Sequence, residues 1–308
     1  MALFESILFA TVVAGTPLAI VGLGQLIAEK SGVLNLGAEG MMATGAIAGF
    51  AIAYETQSVW LGMGAAMVAG AVLAGLFAFV VLTLLGNQVA TGLALSIFGV
   101  GLSAFVGKPY ESKILPSPQV LEIPLLSDIP IKGPALFQQT WPVYFSWLLV
   151  AAMIWFLYRS RGGLILRAVG ESPHSAHTVG FPVIRIRYLA TLFGGAMAGM
   201  GGAFLSVFVT PLWAEGMVAG RGWIAIALVV FATWRPLRVI LGAYLFGGVL
   251  IAQLFVQGSG VAIEIPAQFL SALPYLATIA VLVIISRNPN TVRLNSPMSL
   301  DQPYQPNI

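Results

Sequence analysis

Residues 159–187 read RSRGGLILRAVGESPHSAHTVGFPVIRIR, a polar and basic island in an otherwise apolar chain. It holds five of the fourteen Lys and Arg residues and both histidines, His174 and His177. Apolar segments long enough to cross a bilayer flank it on both sides. A basic loop between two such segments belongs in the cytoplasm, because short cytoplasmic loops carry an excess of Lys and Arg. Fixing this loop inside sets the direction of every neighbouring segment. Its centre, 164–179, is expected to form a short helix, with Ser172 and Pro173 as a local N-cap and first-turn pair. The island reads as a docking element for a cytoplasmic partner.

The 308-residue chain as a whole is 58% hydrophobic and only 8% charged, with a mean hydropathy of +0.94. A soluble domain carries about 25% charged residues, so most of this chain belongs in lipid. A β-barrel would show alternating segments of ~10 residues, whereas the apolar runs here are long and continuous. The expected fold is therefore an all-α polytopic membrane protein of about nine helices, with eight to ten as the range. Spans are expected near 6–28, 36–53, 59–85, 88–106, 142–158, 188–209, 222–234, 239–257 and 268–286. The 222–234 segment is the weakest, covering only ~20 Å of a ~30 Å hydrocarbon core. The first stretch lacks a basic n-region and is expected to be a retained span.

Counting outward from the island puts the N-terminus outside and the C-terminus inside. Glu29-Lys30, Arg235, Arg238 and the tail from residue 287 then lie inside with it. One loop disagrees with the charge bias: 107–141 falls outside yet contains Lys108, Lys113 and Lys132. With its prolines and acidic residues it reads as an ordered extracytoplasmic lid. The chain divides into one transmembrane domain, 1–286, and a cytoplasmic tail, 287–308.

There is an internal echo. Leu36-Gly37-Ala38-Glu39-Gly40-Met41-Met42-Ala43 matches Leu212-Trp213-Ala214-Glu215-Gly216-Met217-Val218-Ala219 at six of eight positions. Five expected spans separate the copies, so they would face opposite sides of the membrane. Inverted repeats with interrupted helices near the substrate path are a transporter pattern. Chance is the competing explanation, because Ala and Gly are abundant here.

Catalysis has no foothold. With no Cys there is no disulfide, thiolate nucleophile or thiolate metal site. His174 and His177 have only Glu171 in reach as a third metal ligand, and polar contact with a partner or water is the better reading. The run Gly101 to Pro109 imitates a phosphate loop but has Pro109 after Lys108 and one intervening residue too many. The chain is expected to be no enzyme, to need no cofactor and to bind no nucleic acid. Energy must come from outside it.

Polar residues within or at the ends of spans carry the remaining information, because they are costly in lipid and usually face the bundle interior. Asn35, Glu39, Asn87, Gln88, Thr91 and Glu215 are the candidates for a translocation path, with Gln25, Arg221 and Gln253 also in membrane segments. Each could equally be a helix cap or an interhelical hydrogen bond. Gly45 with Gly49, and Gly195 with Gly199, are GxxxG pairs that permit close helix approach.

Three blocks of residues resemble a known family. They are Glu29-Lys30-Ser31-Gly32-Val33-Leu34-Asn35-Leu36-Gly37-Ala38-Glu39-Gly40-Met41-Met42; Asn87-Gln88-Val89-Ala90-Thr91-Gly92-Leu93-Ala94-Leu95; and Arg167-Ala168-Val169-Gly170-Glu171-Ser172-Pro173 through Gly180, followed by Arg187-Tyr188-Leu189-Ala190. Together they are similar to the permease subunits of bacterial ABC importers in the branched-chain amino acid/ribose/nucleoside class. The first two blocks look most like guanosine or purine-nucleoside permeases, often described as simple-sugar permeases. Ribose-like sugars and branched-chain amino acids are the alternative substrates.

The resemblance implies several things. A second permease subunit forms a heterodimer with this chain, a cytoplasmic ATPase drives it, and an extracytoplasmic binding protein supplies the substrate. The protein sits in the cytoplasmic (inner) membrane as a multi-pass subunit. Arg167, Gly170, Glu171, Ser172, His174 and Gly180 fall in the family's coupling loop, with Gly170 and Gly180 expected to delimit its helix. This sequence departs from the family pattern at Ser172, where Asn is usual, at Ser175-Ala176-His177 and at Phe181-Pro182. These departures bear on which ATPase fits.

Overall fold

The computed structural model describes residues 2–116, 120–122, 136–258, 276, 279, 283 and 295–305. The described α-helices are α1 (Ala2–Lys30), α2 (Ala38–Thr56), α3 (Val59–Ala78), α4 (Gln88–Gly107), α5 (Trp141–Arg159), α6 (Arg161–Glu171), α7 (Pro173–Thr178), α8 (Val183–Ala203), α9 (Arg221–Phe231) and α10 (Pro236–Gly258). Helices α3 and α8 each end in a π-helical turn, Phe79–Thr83 and Phe204–Val209.

Six of these helices are long and apolar enough to cross a membrane: α1, α3, α4, α5, α8 and α10, counting the π turns with α3 and α8. The sequence suggested about nine. Two of the expected spans, 36–53 and 222–234, form helices that fall short of this measure, and the expected span 268–286 lies outside the described residues. Helix α2 is long enough at 19 residues but not apolar enough to count with the six; 13 of its residues are buried, including the polar Glu39 and Thr44. Its Gly- and Ala-rich surface faces other helices, where close packing replaces lipid contact. Helix α9 has only 11 residues, about 16 Å at 1.5 Å per residue. Thr233 (φ 49°) and Trp234 (φ 52°) take left-handed backbone just beyond it, and Pro236 opens α10.

The core sits where α1, α2, α3 and α8 meet. Glycine decides that packing at one crossing. A Cβ on Gly199 of α8 would run into the Ala66 carbonyl oxygen of α3, and one on Gly45 of α2 into the backbone of Gly199 itself. Three helix backbones thus touch at one level. On α4, the face formed by Gly92, Ser96, Gly99, Ser103 and Gly107 is buried. Its opposite face leaves Ile97 and Phe105 more than three-quarters exposed, as befits lipid or another apolar surface.

The island folds differently from the single helix expected over 164–179. It forms α6 and α7, broken at Ser172. Pro173 cannot donate a backbone hydrogen bond inside a helix, so the chain restarts there. Ser172 takes extended backbone (φ −146°, ψ 94°) and its Oγ accepts from Ser175 N, making it the N-cap of α7 with Pro173 in the first turn. Gly170 does not delimit a helix but lies buried inside α6, whereas Gly180 (φ +95°) does follow the end of α7.

The described part of 107–141 contains short regular elements. Leu121 and Glu122 pair antiparallel with Gln139 and Gln138, as β1 (Leu121–Glu122) and β2 (Gln138–Gln139). Lys113 lies over the rings of Tyr54 and Tyr110, 4.6 and 4.7 Å from their centroids. Leu115 N donates to Pro211 O at 2.9 Å, tying this loop to the segment that precedes α9.

Candidate translocation and coupling sites

Glu39 is the polar centre of the membrane region. It stands in the first turn of α2 and is 7% exposed. Its Oε1 accepts from Gly220 N at 2.7 Å and its Oε2 from Gly222 N at 2.8 Å. Those two amides belong to the start of α9, which has no side-chain cap of its own. The first amides of a helix lack intrahelical partners and carry the positive end of its dipole. A carboxylate from another helix therefore both satisfies them and is stabilised by them. The fit requires Gly222, where a Cβ would lie 2.5 Å from Glu39 Cα.

Arg221 sits between the two capped glycines. Its Nη1 donates to Met217 O at 2.7 Å. Around it runs a series of small cavities. One of about 180 Å³ is lined by Glu39, Ser103 and Met217, among others. A second of about 260 Å³ shares Met217 and adds Thr210 and Arg221. A third of about 230 Å³ shares Arg221 and adds Gln253. The π turn that ends α8 contributes Leu205 and Val209 to the second and third. π turns are frequent at functional sites.

The two copies of the echo are neighbours in this arrangement, since Glu39 binds the residues just after the second copy. They are not equivalent. Glu39 is helical and buried, while Glu215 lies in an exposed turn and is absent from the lining, though Ala214 and Gly216 line the first cavity beside it.

The other polar residues of the first two blocks support loops. Asn35 Oδ1 accepts from Gly37 N at 2.8 Å, and Gln88 Oε1 accepts from Leu34 N at 2.7 Å. Asn87 caps α4 by accepting from Ala90 N at 2.9 Å. Thr91 follows in the first turn of α4, half-buried. Glu29 Oε2, at the end of α1, accepts from Trp234 Nε1 at 2.7 Å and pins the α9–α10 turn. Sequence reasoning listed Arg221 and Gln253 among the informative polar residues of the membrane segments, ranked behind the six path candidates. Ser103 it missed, although the small-residue stripe on α4 pointed to it.

The island forms the second site. Arg167 and Glu171 of α6 line an open cavity of about 360 Å³ together with Lys30, Asn295 and Pro297. His174 and His177 of α7 are exposed, and their rings lie 5.1 and 6.3 Å from that of Tyr304. Among the described residues, no three His, Asp or Glu side chains gather as metal ligands.

A bundle of helices long and apolar enough to cross a membrane, with a cavity-lined interior, marks a multi-pass membrane protein. A family model for the permease component of branched-chain amino acid transport systems matches residues 7–285, and this chain belongs to that family. It is a multi-pass permease subunit of an ABC transporter, and ATP hydrolysis is not its own activity. TsgC13 of Haloferax volcanii, provisionally named a glucose ABC transporter permease protein, is 42% identical over 99% of this chain and 98% of its own. NupC of Lactococcus lactis, a nucleoside ABC transporter permease protein, is 32% identical over 87% of this chain and 88% of its own. NupQ of Bacillus subtilis, a guanosine ABC transporter permease protein, is 32% identical over 89% of each chain. Bacillus subtilis also has a second guanosine permease protein, NupP, which is 27% identical over 78% of this chain.

Proposed function

We propose that this subunit forms half of an import path for a purine nucleoside, the path running along the cavities beside Glu39 and Arg221. The observation that carries this reading is that both oxygens of the one acidic side chain lining these cavities, which a substrate ammonium would need, already accept hydrogen bonds. Glu39 spends its two oxygens on backbone amides, and Arg221 donates to a backbone carbonyl. A zwitterionic amino acid would need free counter-charges in so apolar a setting. An uncharged, hydroxyl-rich solute needs only hydrogen-bond partners such as Ser103, Thr210 and Gln253. The names of NupC and NupQ agree with a nucleoside. A simple sugar is the second reading, favoured by the similarity to TsgC13.

The membrane orientation in this reading is N-out and C-in. Its support is the gathering of basic residues at one end. Lys30 Nζ donates to Asn295 O at 2.6 Å, Arg187 Nε to Ser31 O at 3.0 Å and Arg235 Nε to Asn295 Oδ1 at 3.5 Å. The 159–187 element lies at that end, where the ATPase docks, and α7 with the adjoining turn of α6 is the coupling helix. The binding protein docks at the opposite end, on 107–141. The full count of nine segments includes α2, α9 and 268–286, with α1–α2 and α8–α9 as the interrupted pairs of an inverted repeat. A second permease completes the path. Its support is the presence of two guanosine ABC transporter permease proteins, NupQ and NupP, in one organism, both similar to this chain.

Two experiments test these readings. Proteoliposomes holding both permeases, the ATPase and the binding protein should take up radiolabelled guanosine. Uptake of glucose with none of guanosine would replace the nucleoside by the sugar. In the same complex, Glu171→Ala with His174→Ala should lower substrate-stimulated ATP hydrolysis by about tenfold, within the range typical of coupling between sites. Unaltered stimulation would remove α6 and α7 from the coupling role.

A further inference from the structure

Residues 295–305 lie against the island and brace it. Ser299 holds Gly170 of α6 twice: its backbone N donates to Gly170 O at 3.0 Å and its Oγ to the same oxygen at 2.6 Å. Gly170 is in turn pressed against the end of α1, because a Cβ there would strike the Lys30 carbonyl oxygen. Lys30 Nζ donates to Asn295 O at 2.6 Å. Three elements are therefore locked at one point.

Arg187, in α8, is the second lock and is 1% exposed. Its guanidinium donates to Ser31 O at 3.0 Å, to Ser299 Oγ at 2.9 Å and to Gln302 O at 3.3 Å. Tyr304 is the third, only 4% exposed and packed with Val169, Ala176 and Val183. Its ring lies close to Arg187 and to the two histidines of α7. Asn295 and Pro297 form a wall of the same 360 Å³ cavity that Arg167 and Glu171 line.

We propose that this C-terminal strap is part of the ATPase docking surface: the cleft between α6 and the strap receives an acidic projection of the ATPase, and the strap carries the load on α6 and α7 into α1 and α8. The charge of the cleft supports the acidic partner, since Lys30 and Arg167 outnumber Glu171 there. The bracing supports the transmission. Among the described residues, the other links of α7 to the membrane helices are the chain itself and a small apolar cluster. This inference rests on the coupling role proposed above for α6 and α7.

The chain has no cysteine, so a single introduced one carries a photo-crosslinker to a chosen place. Ser175→Cys on α7 tests the coupling role alone. Met298→Cys on the strap, 72% exposed, tests the composite surface. Both should crosslink to the ATPase in the assembled transporter. Tyr304→Ala and the better-filling Tyr304→Leu should lower the ratio of substrate-stimulated to unstimulated ATP hydrolysis by about fivefold or more, the lower end of intersite coupling, in complexes that still co-purify with the ATPase. Tyr304→Phe should rescue it, because the Tyr304 hydroxyl has no hydrogen-bond partner among the described residues. Crosslinking from Ser175→Cys but not Met298→Cys, with an unchanged ratio in Tyr304→Leu, overturns the strap proposal and leaves the coupling role standing. No crosslink from either position overturns both.

Discussion

Glu39→Ala is expected to abolish transport and to lower the stability of the permease by about 3 kcal/mol, the sum expected for two buried amides left without acceptors. The change removes both oxygens that receive Gly220 N and Gly222 N. Helix α9 then begins in an apolar interior with its first donors unpaired, beside the cavities that Glu39 and Arg221 line. Glu39→Gln should fall between, since its amide group can accept one of the two bonds and must present a donor to the other. Gly222→Ala should resemble Glu39→Ala, because the new methyl group collides with Glu39 Cα. Thermal unfolding of the purified complex and substrate uptake in proteoliposomes measure the two halves of the prediction. Wild-type uptake by Glu39→Ala would remove this junction from the path.

Gly199→Leu should prevent folding altogether. At this level α8 touches α2 and α3 through backbone atoms, so no side-chain rotation can make room. Overpacking a core usually costs about 1–3 kcal/mol when neighbours can shift; here three helices would have to separate. Gly64→Ala on α3 has nothing within 4 Å of the new Cβ and should be neutral, with a small gain from helix propensity. Yield of monodisperse protein in detergent distinguishes the two.

The parts of this architecture legible in the sequence are those set by one-dimensional patterns. Long apolar runs gave α1, α3, α4, α5, α8 and α10, because length and hydropathy are local properties. The GxxxG pairs Gly45/Gly49 and Gly195/Gly199 marked the tightest crossing. Ser172-Pro173 marked the start of α7, though not the break that it forces between α6 and α7. What stayed hidden depends on partners far away in the chain. Nothing local to 221–231 reveals that its cap is Glu39. Nothing local to Arg187 reveals that it is buried against 299–304 and not anchored at a membrane surface. Asn35, Asn87 and Gln88 read equally well as path residues or as caps from sequence, and their observed bonds are those of caps and loop supports. Gly170 looked like a helix boundary by residue type, while its role is to let α6 reach the end of α1.

The tie between Glu39 and α9 also bears on how the chain is made. The acceptor is synthesised about 180 residues before its donors, as their sequence separations of 181 and 183 record. N-terminal elements fold first during synthesis. The carboxylate must therefore wait in the membrane while α3 to α8 are inserted, and an isolated ionised group there is costly. Helix α9, too short to be held by lipid, has a ready socket as soon as it emerges. A translating ribosome thus delivers the permease as a lock first and its key last, and a chain arrested before residue 222 should be visible to membrane quality control as an unfilled lock.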